Sequence, residues 1–184
     1  METATKNLED DHVHILKLID VMESIAKKQT PDIDQVREIV YIIKNYADGL
    51  HHAKEENIFF PMLGTKGFSS QQGPVAVMLL EHTEGRNFVK RISDSISNFE
   101  KGDTSALKEI FRNMLGYAEL LRNHISKENN ILFRMADKVL SEADQTDLLK
   151  MFSSEEKTHG PGDARENFVI RIEKLANIYK VQSH

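Results

Sequence analysis

Apolar residues recur at steps of three and four through most of this chain, the period of amphipathic helices. The first stripe is Leu8, Ile15, Ile19, Met22 and Ala26, and a less regular second one holds Ile42, Tyr46, Phe59 and Leu63. The third runs through Val75, Met78, Val89, Ile92, Ile96 and Phe99; the fourth takes Ile110, Met114, Leu121, Ile131 and Met135. Turn signals fall between them, at Gln29-Thr30-Pro31-Asp32, at GTKGFSS with Gly73-Pro74 after it, and at KGDTSA. Pro74 suits the first turn of a helix, where its missing N–H costs nothing, and Asp103 or Thr104 can cap the helix that follows. A last break stands at Thr158-His159-Gly160-Pro161-Gly162, so DLLKMF and FVIRIEKLANIY read as two further helices. The pattern predicts an all-α protein: an up-down-up-down antiparallel four-helix bundle over about residues 5–140, with a C-terminal helical extension over about 141–184. One domain over residues 1–184 is expected at this length.

Each stripe is interrupted by a histidine. His12 stands between Leu8 and Ile15, and His82 between Met78 and Val89. His52 is followed one turn later by Glu56, and His124 by Glu128, before the apolar residues resume. Side chains at i and i+4 share a helix face, so each such pair can grip one object. Burying two carboxylates and four imidazoles is costly unless something compensates. Mutual salt bridges, in a polar network that holds the bundle in register, would do part of this. A pair of divalent cations does it better, because carboxylate and neutral imidazole are both direct ligands.

The phrase H-x-x-x-E-N occurs twice, in HHAKEENIFF and in HISKENNILF, and His52 and Glu56 each precede their counterparts by 72 residues. Two helix pairs related by a pseudo-twofold would each bring half of one site to the midline, an arrangement suited to two metals bridged by two carboxylates.

These residues, from DHVHIL around His12 through HHAKEE and LLEHTEG to HISKE, resemble the hemerythrin-like family of HHE cation-binding domains over most of the chain. The resemblance implies a non-haem centre of two iron ions held by His12, His52, Glu56, His82, His124 and Glu128, with the glutamates bridging. Zinc or manganese would suit the same donors. Oxygen-carrying hemerythrins place a second histidine one turn after the third-helix histidine; here that position is Arg86. The set is therefore read as poorer in histidine than that of the respiratory carriers. A coordination position would stay open to oxygen, peroxide or nitric oxide, or be filled by a side chain such as Glu81.

Function follows as an expectation. The chain is read as a metal-binding protein that binds or senses oxygen or another small oxidant. The alternatives are a di-iron peroxidase or ferrous-ion oxidase, and an iron store or zinc-stabilised scaffold without redox chemistry. With no substrate-pocket motif visible, the reading leans away from an enzyme. The chain has no cysteine, which excludes thiolate-held clusters and cysteine nucleophiles. A net charge of −5 argues against a nucleic-acid partner. No apolar run approaches the roughly 18 residues of a membrane helix, and the polar N-terminus does not read as a secretory signal. A stand-alone cytoplasmic domain is expected, with no particular oligomeric state implied.

Other polar residues have plainer readings. His14 and His51, offset from the stripes, are expected at the surface or in packing, and Glu55 in solvent. Glu155 and His159 read as a cap or surface pair, and His184 as the terminus. Gly49 and Gly85, one turn from inward histidines, leave room for a metal, a small ligand or close helix packing. Tyr46 and Tyr117 read as core residues within reach of a bound ligand.

Overall fold

A computed structural model describes residues 2–28, 32–158 and 164–181. The turn at residues 29–31, the punctuation at residues 159–162, the partner of Glu155 in the proposed surface pair, and His184 lie outside the described residues. Among the described residues the fold is all-helical, with six helical runs. They are α1 (Ala4–Lys28), α2 (residues 33–65), α3 (Pro74–Glu100), α4 (residues 106–139), α5 (Glu142–Thr158) and α6 (Arg165–Tyr179).

Local chemistry sets several ends. Asp32 caps α2 by accepting from the backbone N–H groups of Asp34 and Gln35. Pro74 occupies the first turn of α3, preceded by Gly73 at φ 78°, a left-handed conformation that favours glycine. Asp103 accepts from the backbone N–H of Ser105 ahead of α4.

Neither α2 nor α4 is a uniform α-helix. Ile43–His52 and Glu55–Phe59 in α2, and Glu128–Leu132 in α4, are wound as π-helix. In both helices an i→i+5 bond is visible: the Phe60 N–H donates to the Glu55 carbonyl, and the Phe133 N–H to the Glu128 carbonyl. A wider turn holds more residues, so the inward face slips along the sequence. This corrects the end of the fourth stripe. Ile131 and Met135 are 51% and 39% exposed, while Leu132, Phe133 and Ala136 are buried in their stead.

Helix α1 packs on α4, α4 on α3, and α3 on the first part of α2, which also touches α1. The apolar core is in two parts. One cluster includes Ile15–Ile25 of α1, Val36–Leu50 of α2, Val89–Ile96 of α3 and Ile110–Ile125 of α4, covered by Phe168 and Ile172 of α6. The other takes Ala4 and Leu8, Ile58–Leu63, Val75 and Met78, and Leu132–Leu140, covered by Leu148 and Phe152 of α5. Between the two lies a layer of buried polar side chains.

Candidate metal centre

The polar layer contains His12, His51, His52, Glu55, His82, His124 and Glu128, none more than 5% exposed. They form two groups whose ligating atoms lie within 4.8 Å of one another: His52, Glu55, His82 and His124, and His12, His51, Glu55 and Glu128. Glu55 belongs to both. Glu128 also faces both, with one oxygen 3.2 Å from His12 Nε2 and 3.3 Å from His124 Nε2.

Five of the six residues expected from the sequence are here, and Glu56 is not. Its carboxylate lies outside the layer and accepts from His82 Nδ1 at 2.7 Å and from Arg86 at 2.7 Å. Glu55 takes its place, with oxygens 3.6 Å from His51 Nε2 and 3.4 Å from His82 Nε2. The π-helical winding of α2 is the reason: it turns both His51 and His52 inward, and Glu55 follows His51 by one turn. The expectations that His51 lies at the surface or in packing, and Glu55 in solvent, are corrected accordingly. The repeat visible in the sequence is preserved with a shifted partner, because His51-x-x-x-Glu55 corresponds to His124-x-x-x-Glu128. His14 belongs to neither group.

The five imidazoles are oriented alike. Each turns Nδ1 outward: His12 to Asn129 at 2.7 Å, His52 to Asp48 at 3.2 Å, His82 to Glu56, and His124 to Glu81 at 3.0 Å. His51 Nδ1 lies 3.5 Å from Asp11. Nε2 is thereby left to face the centre, and outer partners of this kind fix the tautomer and orientation of a ligating imidazole. Glu81 and Arg86, considered as substitute ligands from the sequence, instead belong to this outer ring. Arg86 bridges Asp48 and Glu56, and Lys127 pairs with Glu81.

The layer is electrostatically demanding. Neither oxygen of Glu55 nor either oxygen of Glu128 makes a hydrogen bond, and His52 Nε2 has no partner either. A buried polar group left in that state costs about 1–3 kcal/mol, and more when charged. Burial opposes charge on Glu128, yet His124 and His12 hold its carboxyl well below the usual carboxylate range. Burial likewise opposes protonation of His124, but Glu128 and Glu81 raise it to about 10. His12 and His82 are also raised against their burial, the first by Glu128 and the second by Glu55 and Glu56. His52, surrounded by other imidazoles, is pushed well below its ordinary value by burial and by His82. The two carboxylates call for positive charge at the centre. Nitrogen and oxygen donors aimed inward, with their far sides tied, are what a pair of divalent cations requires.

A family profile, the Hemerythrin HHE cation binding domain, matches residues 3–136. The chain belongs to this family. Its hemerythrin-like segment runs from the start of α1 into the end of α4 and so contains all seven residues of the layer. Curated relatives include the "Iron-sulfur cluster repair protein YtfE" of Escherichia coli O139:H28 (strain E24377A / ETEC) and that of Shigella boydii serotype 18 (strain CDC 3083-94 / BS512). Each is 33% identical over 88 residues, covering 47% of this chain and 40% of the relative. The match thus spans about two fifths of those proteins' length. No solved structure matches significantly. Among the described residues, no helix is long and apolar enough to cross a membrane.

Proposed function

We propose that this hemerythrin-like chain is a non-haem di-iron protein that binds or senses oxygen or another small oxidant at the centre of its polar layer. The observation that carries the proposal is the sharing of Glu55 between two groups of buried donors, with neither of its oxygens hydrogen-bonded. His52, His82 and His124 would hold one ion and His12 and His51 the other, with Glu55 and Glu128 between them. A bound iron pair would supply redox-active binding of small ligands such as oxygen, peroxide or nitric oxide. The chain's own residues present Nε2 lone pairs, hold the Glu128 carboxylate ionised and exclude bulk water from one side. Phe133 stacks on His12 with ring centroids 5.6 Å apart, which supports a sealed two-imidazole half.

The reading extends to the fold. Each apolar cluster takes alternating ends of α1 to α4, which favours the up-down-up-down bundle, and we read residues 1–184 as one domain with the C-terminal helices packed on its core. A cytoplasmic protein without nucleic-acid or membrane partners fits the same picture. The names of the relatives favour a second reading, in which the iron pair serves iron–sulfur cluster repair.

Anaerobic reconstitution with ferrous iron tests the proposal. Close to two ions per chain are expected, with new near-ultraviolet and visible absorption on exposure to oxygen or nitric oxide. One tightly held ion at saturation would overturn the paired site, and so would two ions with a spectrum indifferent to both gases overturn the sensing role. Restoration of a damaged cluster in a partner protein, without reversible gas binding, would favour the repair reading.

A further inference from the structure

One face of the polar layer does not end in packed side chains. Between α2, α3 and α4 lies a cavity of about 280 Å³ whose floor is formed by His52, His82 and His124. The rest of its lining has an apolar part that includes Ile43, Val89, Leu121 and Tyr117, with Gly85 beside it, and a charged part made of Lys44, Asp48, Glu81, Arg86, Lys90 and Asp94. A water molecule occupies about 30 Å³ of liquid, so the cavity has space for about nine water-sized groups. A diatomic gas would fill only a small part of it.

Two details show the wall to be more than loose packing. Tyr117 is 2% exposed and lines the cavity, yet its hydroxyl makes no hydrogen bond to any described residue. Burial, and then the charge of Asp48, push this phenol well above its ordinary range, so it is a protonated donor. Gly85 faces the ring: a Cβ there would already touch Tyr117 Cε2 at 3.5 Å and Leu120 at 4.0 Å, so the absent side chain leaves room beside the phenol. The charged lining residues are of both signs and most are paired, Lys90 with Asp94, Arg86 with Asp48 and Glu81 with Lys127. Their opposite signs favour neither an anion nor a cation, and a charged group drawn against the apolar part of the lining would lose its hydration.

We propose that this cavity is a binding site for a small uncharged organic molecule, with an apolar body of about seven to nine heavy atoms and one oxygen acceptor, such as a ketone, aldehyde or alcohol. The body lies along Ile43, Val89 and Leu121, and the oxygen accepts from Tyr117. The site adjoins the proposed metal centre but does not depend on it, because its walls and donor are complete without an ion.

Octan-2-one, with eight carbons and one carbonyl oxygen, is a suitable probe, and octanoate is its charged counterpart. Ligand-observed NMR titration of the metal-loaded protein should show saturable binding of the ketone and weaker binding of the acid. Tyr117→Phe removes only the donor and should weaken the ketone about 2- to 13-fold, the range of one net hydrogen bond. Gly85→Leu fills the space and should weaken it at least 10-fold; Val89→Phe, blocking one turn further along the same helix face, should do the same if the first variant folds poorly. Tighter binding of octanoate than of the ketone would overturn the ligand class. Absent binding at millimolar ketone, or unchanged binding in both filled variants, would overturn the site. Metal content measured on each sample separates these outcomes: two ions with no ketone binding refutes the cavity alone, whereas ketone binding without two ions refutes the metal reading alone.

Discussion

Two adjacent glutamates should behave very differently when neutralised. Glu55 contributes to both groups of the layer, so Glu55→Gln leaves three donor residues in each: His52, His82 and His124 on one side, and His12, His51 and Glu128 on the other. Glu56→Gln leaves all four in both and disturbs the outward bond of His82 Nδ1 and the ion pair with Arg86. Loss of such an outer partner typically costs 10- to 100-fold in metal affinity, or about 1.4–2.7 kcal/mol. When metal stabilises the folded state by mass action, that loss passes into stability, and about 2–4 °C per kcal/mol at this size gives a melting shift of about 3–11 °C at fixed free metal. Glu56→Gln should therefore still load two ions at saturation, with a right-shifted titration for one of them. Glu55→Gln should bind well below two ions per chain at any practical concentration. Elemental analysis after desalting and melting curves against free metal measure both effects. Equal loss of occupancy in the two variants would refute the assignment of Glu55 to the centre and Glu56 to its surround.

Three further outcomes follow. His51→Ala should weaken the ion on the two-imidazole side, whereas His14→Ala should titrate like the parent; isothermal titration of both variants decides, and equal damage would refute the inward placement of His51. Protons compete with metal at His12, His82 and His124, whose raised values mean that uptake near neutral pH releases protons and that apparent affinity climbs with pH. The sign for the metal-free protein is opposite: stability from protonated His124 is complete below about 6.5 and is lost as pH rises through about 10, so the gap in melting temperature between loaded and metal-free protein should widen over that window, and a gap independent of pH would refute it. Arg165→Ala removes a bond of 2.6 Å to Asp11, which faces His51; titration should show the two-imidazole ion weakened with the other unchanged, and Arg165→Lys should restore part of the loss.

The sequence made the helices and the existence of a metal-type layer legible because both rest on periodicity. His12, His82, His124 and Glu128 stand where α-helical spacing puts them, and the stripes around them are buried. What the spacing concealed was a change of period. From Ile43 to Phe59 the backbone is mostly π-helical, and extrapolation from Ile42 and Tyr46 at α-helical steps selects His52 with Glu56, one position out of phase for the carboxylate. The same slip after Glu128 exposes Ile131 and buries Leu132. A signal was present in the words themselves. HHAKEE aligns with HISKE by its first histidine, which pairs His51 with Glu55, and that match required no assumption about helix phase. The outer ring follows the same repeat, since Asp11 and Glu81 precede His12 and His82, and Glu56 and Asn129 follow the two central glutamates. What the spacing did not give was the pairing across helices, Asp11 with His51, Glu81 with His124, Glu56 with His82 and Asn129 with His12.

The two halves of the layer are built for different exposure. Around His52, His82 and His124 the outer partners Asp48, Glu56 and Glu81 are partly exposed, and the side chains that steady them, Arg86 and Lys127, reach solvent. Around His51 the outer partner is Asp11, 1% exposed, and it is held by Lys54, Tyr46 and Arg165 at 2.6, 3.1 and 2.6 Å. Lys54 is itself buried and reaches Glu156 of α5 at 3.1 Å. A buried charge pair of this kind is costly to break, since removing one member strands the other. The C-terminal helices beyond the family segment thus lock one side of the layer, while the other is left to the cavity. On the proposed reading, a small molecule would meet the three-imidazole side first, and an ion held by His12 and His51 would be screened from solvent by these contacts. On that asymmetry the two ions should exchange at different rates: the three-imidazole ion should yield to a chelator first, and its companion only as fast as α5 and α6 release Asp11.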